Sequence, residues 1–532
     1  MNEQVVDVPV SPAGFCAREL LVPRDSRRNS ATSTSDVEVS TRLQFVLSQH
    51  SESQRCTPLQ GHMQHVHAST AGISLGLFSW SLCHRVILKK QHDDTKVAKI
   101  HKEFPRLRVL GTGDILAPGW AVLITLITRF FEMPNSHEIL KRAESYRSDM
   151  LQFLRDICAI PSESGKEREV VQRIKCEMEK VEFDEIKIDG MGNILGRVGS
   201  GKHVIAMDAH IDTVGVGDRA AWKWDPYQGK LEKGIFFARG ASDQKGGMAS
   251  MVYGAKIIKD LGLTGDYSLW ITGTVQEEDC DGLCWQYILK EGVLKPEVVV
   301  ITEATNLAIY RGHRGRMEIG VTTRGISCHG SAPERGKNAV YMMSQVVREI
   351  EKLNGRLATD EFLGKGTVTV TYIECSTPSL CAVPDRAYIH LDRRLTRSET
   401  KESAVAEVHD AIRKAGVEAE VEVLRYCVPS YTNLVYETEK YYPTWILEPD
   451  HPACRAASEN YRALFAGEPH VGKWVFSTNG IATMGMMGVP TIGFGPGDEI
   501  YAHTVLDQMP VDHLVRAAAF YAGFPAVYCA TR

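Results

Sequence analysis

Residues 203–212 read His203-Val204-Ile205-Ala206-Met207-Asp208-Ala209-His210-Ile211-Asp212. A short apolar run closing on a histidine and an acid is the pattern of a buried strand with polar groups at its carboxyl end. Alternate side chains of an extended segment share a face, so His210 and Asp212 point the same way. A carboxylate in that position can orient an imidazole that holds a cation. A lone His-x-Asp is a weak signal, because surface and core histidines give the same letters.

The pattern repeats outward from this stretch. Upstream, Ile139, Leu140, Tyr146, Met150, Leu151, Leu154 and Ile157 recur at helical spacing, Pro161 ends the helix, and residues 166–181 resume the period. Residues 185–188 and 193–198 are short apolar runs. Downstream, residues 248–261 predict a helix, and residues 267–274 a strand that stops just before Glu277. Residues 298–302 predict another strand, which stops at Glu303. Strands alternating with helices give an α/β sheet, whose ligands sit at the carboxyl ends of the strands.

A different block follows. Residues 316–324, 366–374 and 387–394 predict strands, and 338–353 and 398–415 predict helices, with Ser398 as N-cap of the second. The α/β pattern then returns, with a strand at 489–494 and a closing helix at 512–524. An α+β insertion that splits the first domain explains this order. The expected division is an extension at 1–132, a first domain in two parts at 133–314 and 426–532, and the inserted unit at 315–425.

The chain has 532 residues, 43% apolar and 24% charged, with a formal net charge of −5. That length holds about two to four domains. The composition excludes wholesale disorder, collagen and a multi-span membrane protein, and the charge gives no basic excess for a nucleic-acid backbone. No repeat of solenoid period is present. Thirteen cysteines, an odd and scattered set, read as a reducing, cytoplasmic setting rather than a disulfide framework. Cys280 and Cys284 have no second pair at zinc-finger spacing and read as structural.

The extension is unlike the rest. Residues 24–60 are polar and aperiodic, which predicts disorder. His62, His65 and His67 cluster near Cys56 but match no zinc spacing. Residues 115–131 are the one stretch weighed as a membrane anchor, interrupted by Pro118 and Gly119 and no longer than the ~18–20 residues a span needs. A start at Met133, with the preceding part a gene-model artefact, is the alternative.

Further polar motifs fall at strand ends. Gly240-Ala241-Ser242-Asp243-Gln244-Lys245-Gly246-Gly247 is a glycine-rich turn centred on an acid, which could equally be an N-cap. Gln276-Glu277-Glu278-Asp279 follows an apolar strand, where neighbouring carboxylates can divide their work between cation binding and proton transfer. Glu303 and His503 add one more acid and one more histidine. Imidazole with carboxylate and no thiolate suits Zn²⁺ or a similar divalent ion. The donors exceed the need of one ion, which suggests two, about 3.5–4 Å apart. The run from Gly330 to Gly336-Lys337-Asn338 is no phosphate loop, having one residue too many and Asn in place of Ser or Thr.

Over residues 137–532 these motifs, in this order, resemble the zinc-dependent aminoacylase and carboxypeptidase family, which includes acetylornithine deacetylase, succinyl-diaminopimelate desuccinylase and peptidase T. Phe476-Ser477-Thr478-Asn479-Gly480 and Cys328-His329-Gly330-Ser331-Ala332-Pro333-Glu334-Arg335-Gly336 carry a likeness to a bacterial hydrolase group associated with selenium metabolism. The resemblance implies an α/β, mixed-sheet catalytic domain holding two metal ions, split by an α+β lid that makes a homodimer. It implies that Asp243 bridges two divalent ions, zinc foremost with cobalt or manganese able to substitute. His210 and Glu303 would complete one site, and Glu278 and His503 the other. Asp212 would orient His210, and Glu277 would serve as general base. A non-proline cis peptide would follow Asp243. His329 would reach a partner's active site and steady the oxyanion. Arg394 would grip a substrate carboxylate, with Arg393 as its rival, and Asn479 and Gly480 would contact substrate.

Two departures stand out. Cys381-Ala382-Val383-Pro384 replaces the asparagine and Val-Ile-Pro that many relatives carry, and Gln244 follows the bridging acid. The implied activity is hydrolysis of amide bonds in small peptides or N-acyl amino acids. The alternative is a catalytically silent, dimeric, ligand-binding relative.

Overall fold

The computed structural model describes residues 136–532. The expectations for the extension, for residues 115–131 and for the His62, His65 and His67 cluster lie outside the described residues. Among the described residues, no helix is long and apolar enough to cross a membrane.

A nine-stranded mixed sheet forms the first part of the fold. Its order is Glu185–Ile188, Ile194–Val198, Tyr267–Thr274, His203–His210, Val298–Ile301, Thr491–Gly493, Ile309–His313 and Trp445–Ile446, with Val471–Trp474 also pairing to Ile309–His313. Tyr267–Thr274, His203–His210, Val298–Ile301 and Thr491–Gly493 run parallel as neighbours. Every residue of Tyr267–Thr274 and Val298–Ile301 is buried, as a strand covered on both faces requires. His210 pairs with Thr274, and Asp208 with Ile301, so the three strand ends stop level. The polar groups read at those ends therefore meet along one edge.

Helix Gly246–Asp260 makes the crossover between His203–His210 and Tyr267–Thr274. Glycine permits its approach to the sheet: a Cβ on Gly247 would lie 2.2 Å from Thr302 Oγ1. A Cβ on Gly254 of the same helix would lie 2.9 Å from Tyr521 Cβ, which belongs to the closing helix Val511–Thr531. The core at this layer includes Met248, Met251, Val252, Ile271, Val299, Phe494 and Phe520.

The inserted part is a second, antiparallel sheet in the order Thr367–Ser376, Arg386–Leu395, Gly315–Arg324 and Glu420–Val423. One face carries Met317, Ile319, Val321, Ile389 and Leu391 against helices Ala339–Asn354 and Lys401–Ala415, forming a separate apolar core. Alternation puts Arg316, Glu318, His390, Asp392 and Arg394 on the other face. The sheet also takes in Tyr441–Tyr442, which pairs with Gly315–Arg324, so it reaches past the expected limit at residue 425. The N-cap of Lys401–Ala415 is Thr400 rather than Ser398: Thr400 accepts from Ser403 N, and Ser403 Oγ accepts from Thr400 N. That reciprocal pair is a capping box, which the Ser398 position cannot make.

Candidate metal centre

Each donor at the carboxyl edge of the large sheet has its own structural source. His210 ends its strand, Glu277 and Glu278 stand in the turn after Tyr267–Thr274, and Glu303 follows Val298–Ile301. Asp243 comes from the turn before helix Gly246–Asp260. That turn needs Gly240 at φ +81°, where a Cβ would also strike Thr213 Cγ2 at 2.7 Å. The Asp243–Gln244 peptide is cis. His503 comes from the loop after Thr491–Gly493.

The side chains converge. His210 Nε2 lies 2.8 Å from Asp243 Oδ1 and 3.3 Å from Glu303 Oε1. His503 Nε2 lies 3.2 Å from Asp243 Oδ2 and 2.8 Å from Glu278 Oε2. Ligand atoms of His210, Glu277 and Glu303, and of His210, Asp243 and Glu278, all fall within 4.8 Å of one another in each set. Those two sets share His210, whereas the pairwise contacts place Asp243 between the histidines. The pairwise contacts decide the arrangement, because each oxygen of Asp243 has a different imidazole beside it. Among these residues His503 is the accessible one, with its side chain 56% exposed against 10% for Asp243.

The electrostatics are those of an acidic well. Burial pushes Glu303 up to about 7, with Asp243 and Glu278 adding to it against His210. Burial also holds Glu277 well above the usual carboxylate range, reinforced by Asp281, Glu303 and Glu278 and opposed by His210. Burial and Asp243 raise Glu278. Hydrogen bonds to Asp243 and Glu278 push His503 up to about 10. Burial would lower His210, but Glu303, Asp212, Asp243 and Glu277 together raise it well above its ordinary value. Asp243 goes the other way: burial is outweighed by its hydrogen bonds to His210 and His503, and it stays ionised. Asp243, Glu277, Glu278 and Glu303 thus share two imidazoles, a charge imbalance that divalent cations relieve. Glu277 Oε1 is buried without a hydrogen-bond partner, which fits a donor waiting for another group. The residues present fit a carboxylate–imidazole metal site.

Asp212 has a wider role than orienting one ring. His210 Nδ1 lies 3.0 Å from the Asp212 backbone oxygen and 3.4 Å from its Oδ1. Asp212 Oδ2 accepts from Glu278 N at 3.0 Å and from Ser164 Oγ at 2.7 Å. It therefore ties the strand end that carries His210 to the turn that carries Glu277 and Glu278. Ser162 Oγ donates to Ile211 O, and Glu167 Oε1 accepts from Gln276 N, so the loop 162–167 braces both. Burial and the nearby Asp212 push Glu167 up to about 8. Sequence reading missed Ser164, Glu167 and Asp507, the last of which receives Gly240 N and Ser242 N beside Asp243. The lone signal for Asp507 was an acid four residues after His503.

The remaining expected residues lie elsewhere. Arg393 is fully buried and paired to Glu399 at 2.6 Å and Glu407 at 3.0 Å, which removes it as a substrate grip. Arg394 is on the opposite, polar face, clasped by Asp392 through Nε at 2.8 Å and Nη2 at 3.0 Å. Asn479 is buried. Its Nδ2 donates to Asp208 Oδ2 and Thr274 Oγ1, and its Oδ1 accepts from Gly282 N and Cys284 Sγ. That corrects the expectation for Asn479, because no donor or acceptor of the side chain is left for a substrate. Gly480 is likewise buried, donates to Thr478 Oγ1, and would strike Trp445 if it carried a Cβ. His329 is exposed in the inserted part. Its Nδ1 accepts from Ser331 N at 3.1 Å and lies 2.7 Å from Ser331 Oγ, and it joins none of the clustered donors. Cys280 and Cys284 are buried, Cys280 beside Tyr442 and Cys284 beside Asn479, as structural residues should be.

The sequence model of Peptidase family M20/M25/M40 matches residues 206–526. The chain belongs to that family. The uncharacterized protein YgeY of Escherichia coli (strain K12) is 54% identical over 395 residues, covering 74% of this chain and 98% of that protein. Aminopeptidase PepT from Bacillus cereus has the same fold, with a TM-score of 0.57 at 18% identity, over 72% of this chain and 99% of that one. So does the YXEP protein of Bacillus subtilis, described as a dinuclear metal-binding peptidase of the M20 family, with a TM-score of 0.54 at 15% identity, over 73% of this chain and 100% of that one. As a member of the M20/M25/M40 family, the chain is a metal-dependent hydrolase of peptide or amide bonds.

Proposed function

We propose that the protein hydrolyses amide bonds in small peptides or N-acyl amino acids with two divalent metal ions, zinc foremost and cobalt or manganese as substitutes. The observation that carries this reading is Asp243, whose two carboxylate oxygens face different histidines at 2.8 and 3.2 Å. That is how a bridging acid must stand. His210, Asp243 and Glu303 would hold one ion, and Asp243, Glu278 and His503 the other. When bound, such ions acidify water and polarise a carbonyl.

The chain's own residues supply the rest. Glu277 stands 3.9 Å from His210 Nε2 with Oε1 unengaged, and would take the proton from the attacking water and return it to the leaving amine. Cations beside it would draw its raised affinity for protons back toward the working range. Asp212 would keep His210 in register with the Glu278 turn. His329, with Nδ1 already facing Ser331, would offer Nε2–H to the oxyanion in a second copy of the chain. The exposed edge strand Thr367–Ser376, with Tyr372 and Ile373 uncovered, suits a homodimer through the inserted part. Arg394 would bind a substrate carboxylate. The buried free thiols Cys158, Cys280, Cys284 and Cys454 suit a reducing, cytoplasmic setting.

Metal content by mass spectrometry on the full chain, followed by reconstitution and a screen of N-acyl amino acids and dipeptides, tests the reading. About two ions per chain with metal-dependent amine release supports it. A folded chain that takes up no divalent ion after reconstitution sinks it.

A further inference from the structure

We propose that Asp507 is a positioning residue of this centre. Its carboxylate stitches the turn that carries Asp243 to the segment that carries His503, and so sets the geometry of the second metal site. The inference rests on the two-metal reading above.

Asp507 is fully buried. Its Oδ2 accepts from Gly240 N at 2.7 Å and lies 3.2 Å from Arg239 Nη1. Its Oδ1 accepts from Ser242 N at 2.9 Å, and its backbone oxygen accepts from Ala238 N at 3.1 Å. Nearly the whole approach to Asp243 is thus held by one residue of the His503 segment. Ser242 Oγ adds a second stitch to the same segment, donating to Asp498 O at 3.1 Å. Arg239 is kept in place from its other side by Trp222, whose ring centroid is 5.1 Å from the guanidinium carbon.

The chemistry calls for a carboxylate. Gly240 N and Ser242 N lie in a turn outside regular helix, so no backbone carbonyl of a helical ladder serves them. Two separate acceptor oxygens are needed, plus a negative charge for buried Arg239. An amide at 507 would keep one acceptor and set an NH₂ against the other N–H. The Asp243 turn would then shift relative to His503, and the 3.2 Å approach of Asp243 Oδ2 to His503 would open. The His210 side of Asp243 is held independently, through Asp212 and Glu303, so the loss falls on one site.

The test is stepwise metal affinity in the full chain, wild type against Asp507→Asn, by competition with a chromophoric chelator, together with the visible spectrum of the Co²⁺-loaded protein. Supporting results are a loss of about 10–100-fold in one of two binding steps, a changed Co²⁺ band for that step, and unchanged far-ultraviolet circular dichroism. Wild-type affinity in both steps with an unaltered spectrum overturns the inference. If the wild type binds no divalent ion, the two-metal reading fails first, and the two failures are told apart. Should Asp507→Asn not fold, Ser242→Ala decides: a several-fold loss at the same step supports the stitch, and no change overturns it.

Discussion

Oδ2 of Asp243 lies 3.2 Å from Nε2 of His503, a residue delivered from the far end of the chain. Because Oδ1 faces His210, removing Asp243 and removing His503 have unequal consequences. Asp243→Ala is expected to lose both ions, and His503→Ala only one. Metal content per chain after dialysis against a weak chelator checks this. Equal losses in the two variants would mean that Asp243 does not bridge.

Glu277 differs from its neighbour Glu278 in having an oxygen with no partner, whereas Glu278 accepts from Val214 N at 3.0 Å and meets His503 at 2.8 Å. One is engaged by the scaffold and the other is available to move a proton. Glu277→Gln should therefore lower kcat by about 10²–10⁴-fold while leaving metal content close to wild type. Glu278→Gln should lower metal content itself. If Glu277→Gln keeps its turnover, the base is another residue.

Much of this site is visible in the letters, and the reason is geometric. His210, Glu277, Glu278 and Glu303 each follow an apolar run, and parallel neighbours that stop level must gather whatever follows them. The supporting residues are invisible for the opposite reason. Ser164, Glu167 and Asp507 serve backbone N–H groups or another acid across long stretches of chain, and a single polar letter in a loop has no period. Asn479 misleads because its motif marks a turn at the site, yet the amide faces inward to Asp208 and Thr274. The inserted sheet runs past residue 425 because Tyr441–Tyr442 is a two-residue strand, too short for alternation to register. Arg393 and Arg394 could be split only as an either-or: strand alternation says they face apart, and packing says which faces the helices.

Glu318 gives the inserted part a defined response to acid. Burial would raise its carboxyl, but His390 at 3.1 Å, Arg316 at 2.6 Å and Lys440 at 2.9 Å hold it down at about 2. A folded-state value below the unfolded one means stability that is complete above about pH 4.5 and is lost as pH falls toward 2. The shift corresponds to something on the order of 3 kcal/mol. Glu318→Gln should be less stable than wild type at pH 7, and the gap should close between pH 4.5 and 2. Urea midpoints at pH 7, 4.5 and 3 measure it. A gap that stays constant with pH would place the loss in packing rather than in the charge.

Arg393 and Arg394 should separate stability from substrate recognition. Arg393 is buried among Glu399, Glu407 and two backbone oxygens, and its removal strands two acids. Arg393→Ala is expected to cost about 3–5 kcal/mol of stability. Arg394 is paired only to Asp392 across its Nε and Nη2, on the face that also bears Arg316, and its side chain is 25% exposed. Arg394→Ala should fold normally and raise KM about 10–100-fold for substrates with a free carboxylate, with kcat changed little and esterified substrates unaffected. Arg394→Lys should recover only part of the loss, since an ammonium cannot form two parallel bonds to a carboxylate. An equal rise in KM for acid and ester would assign Arg394 to the scaffold instead.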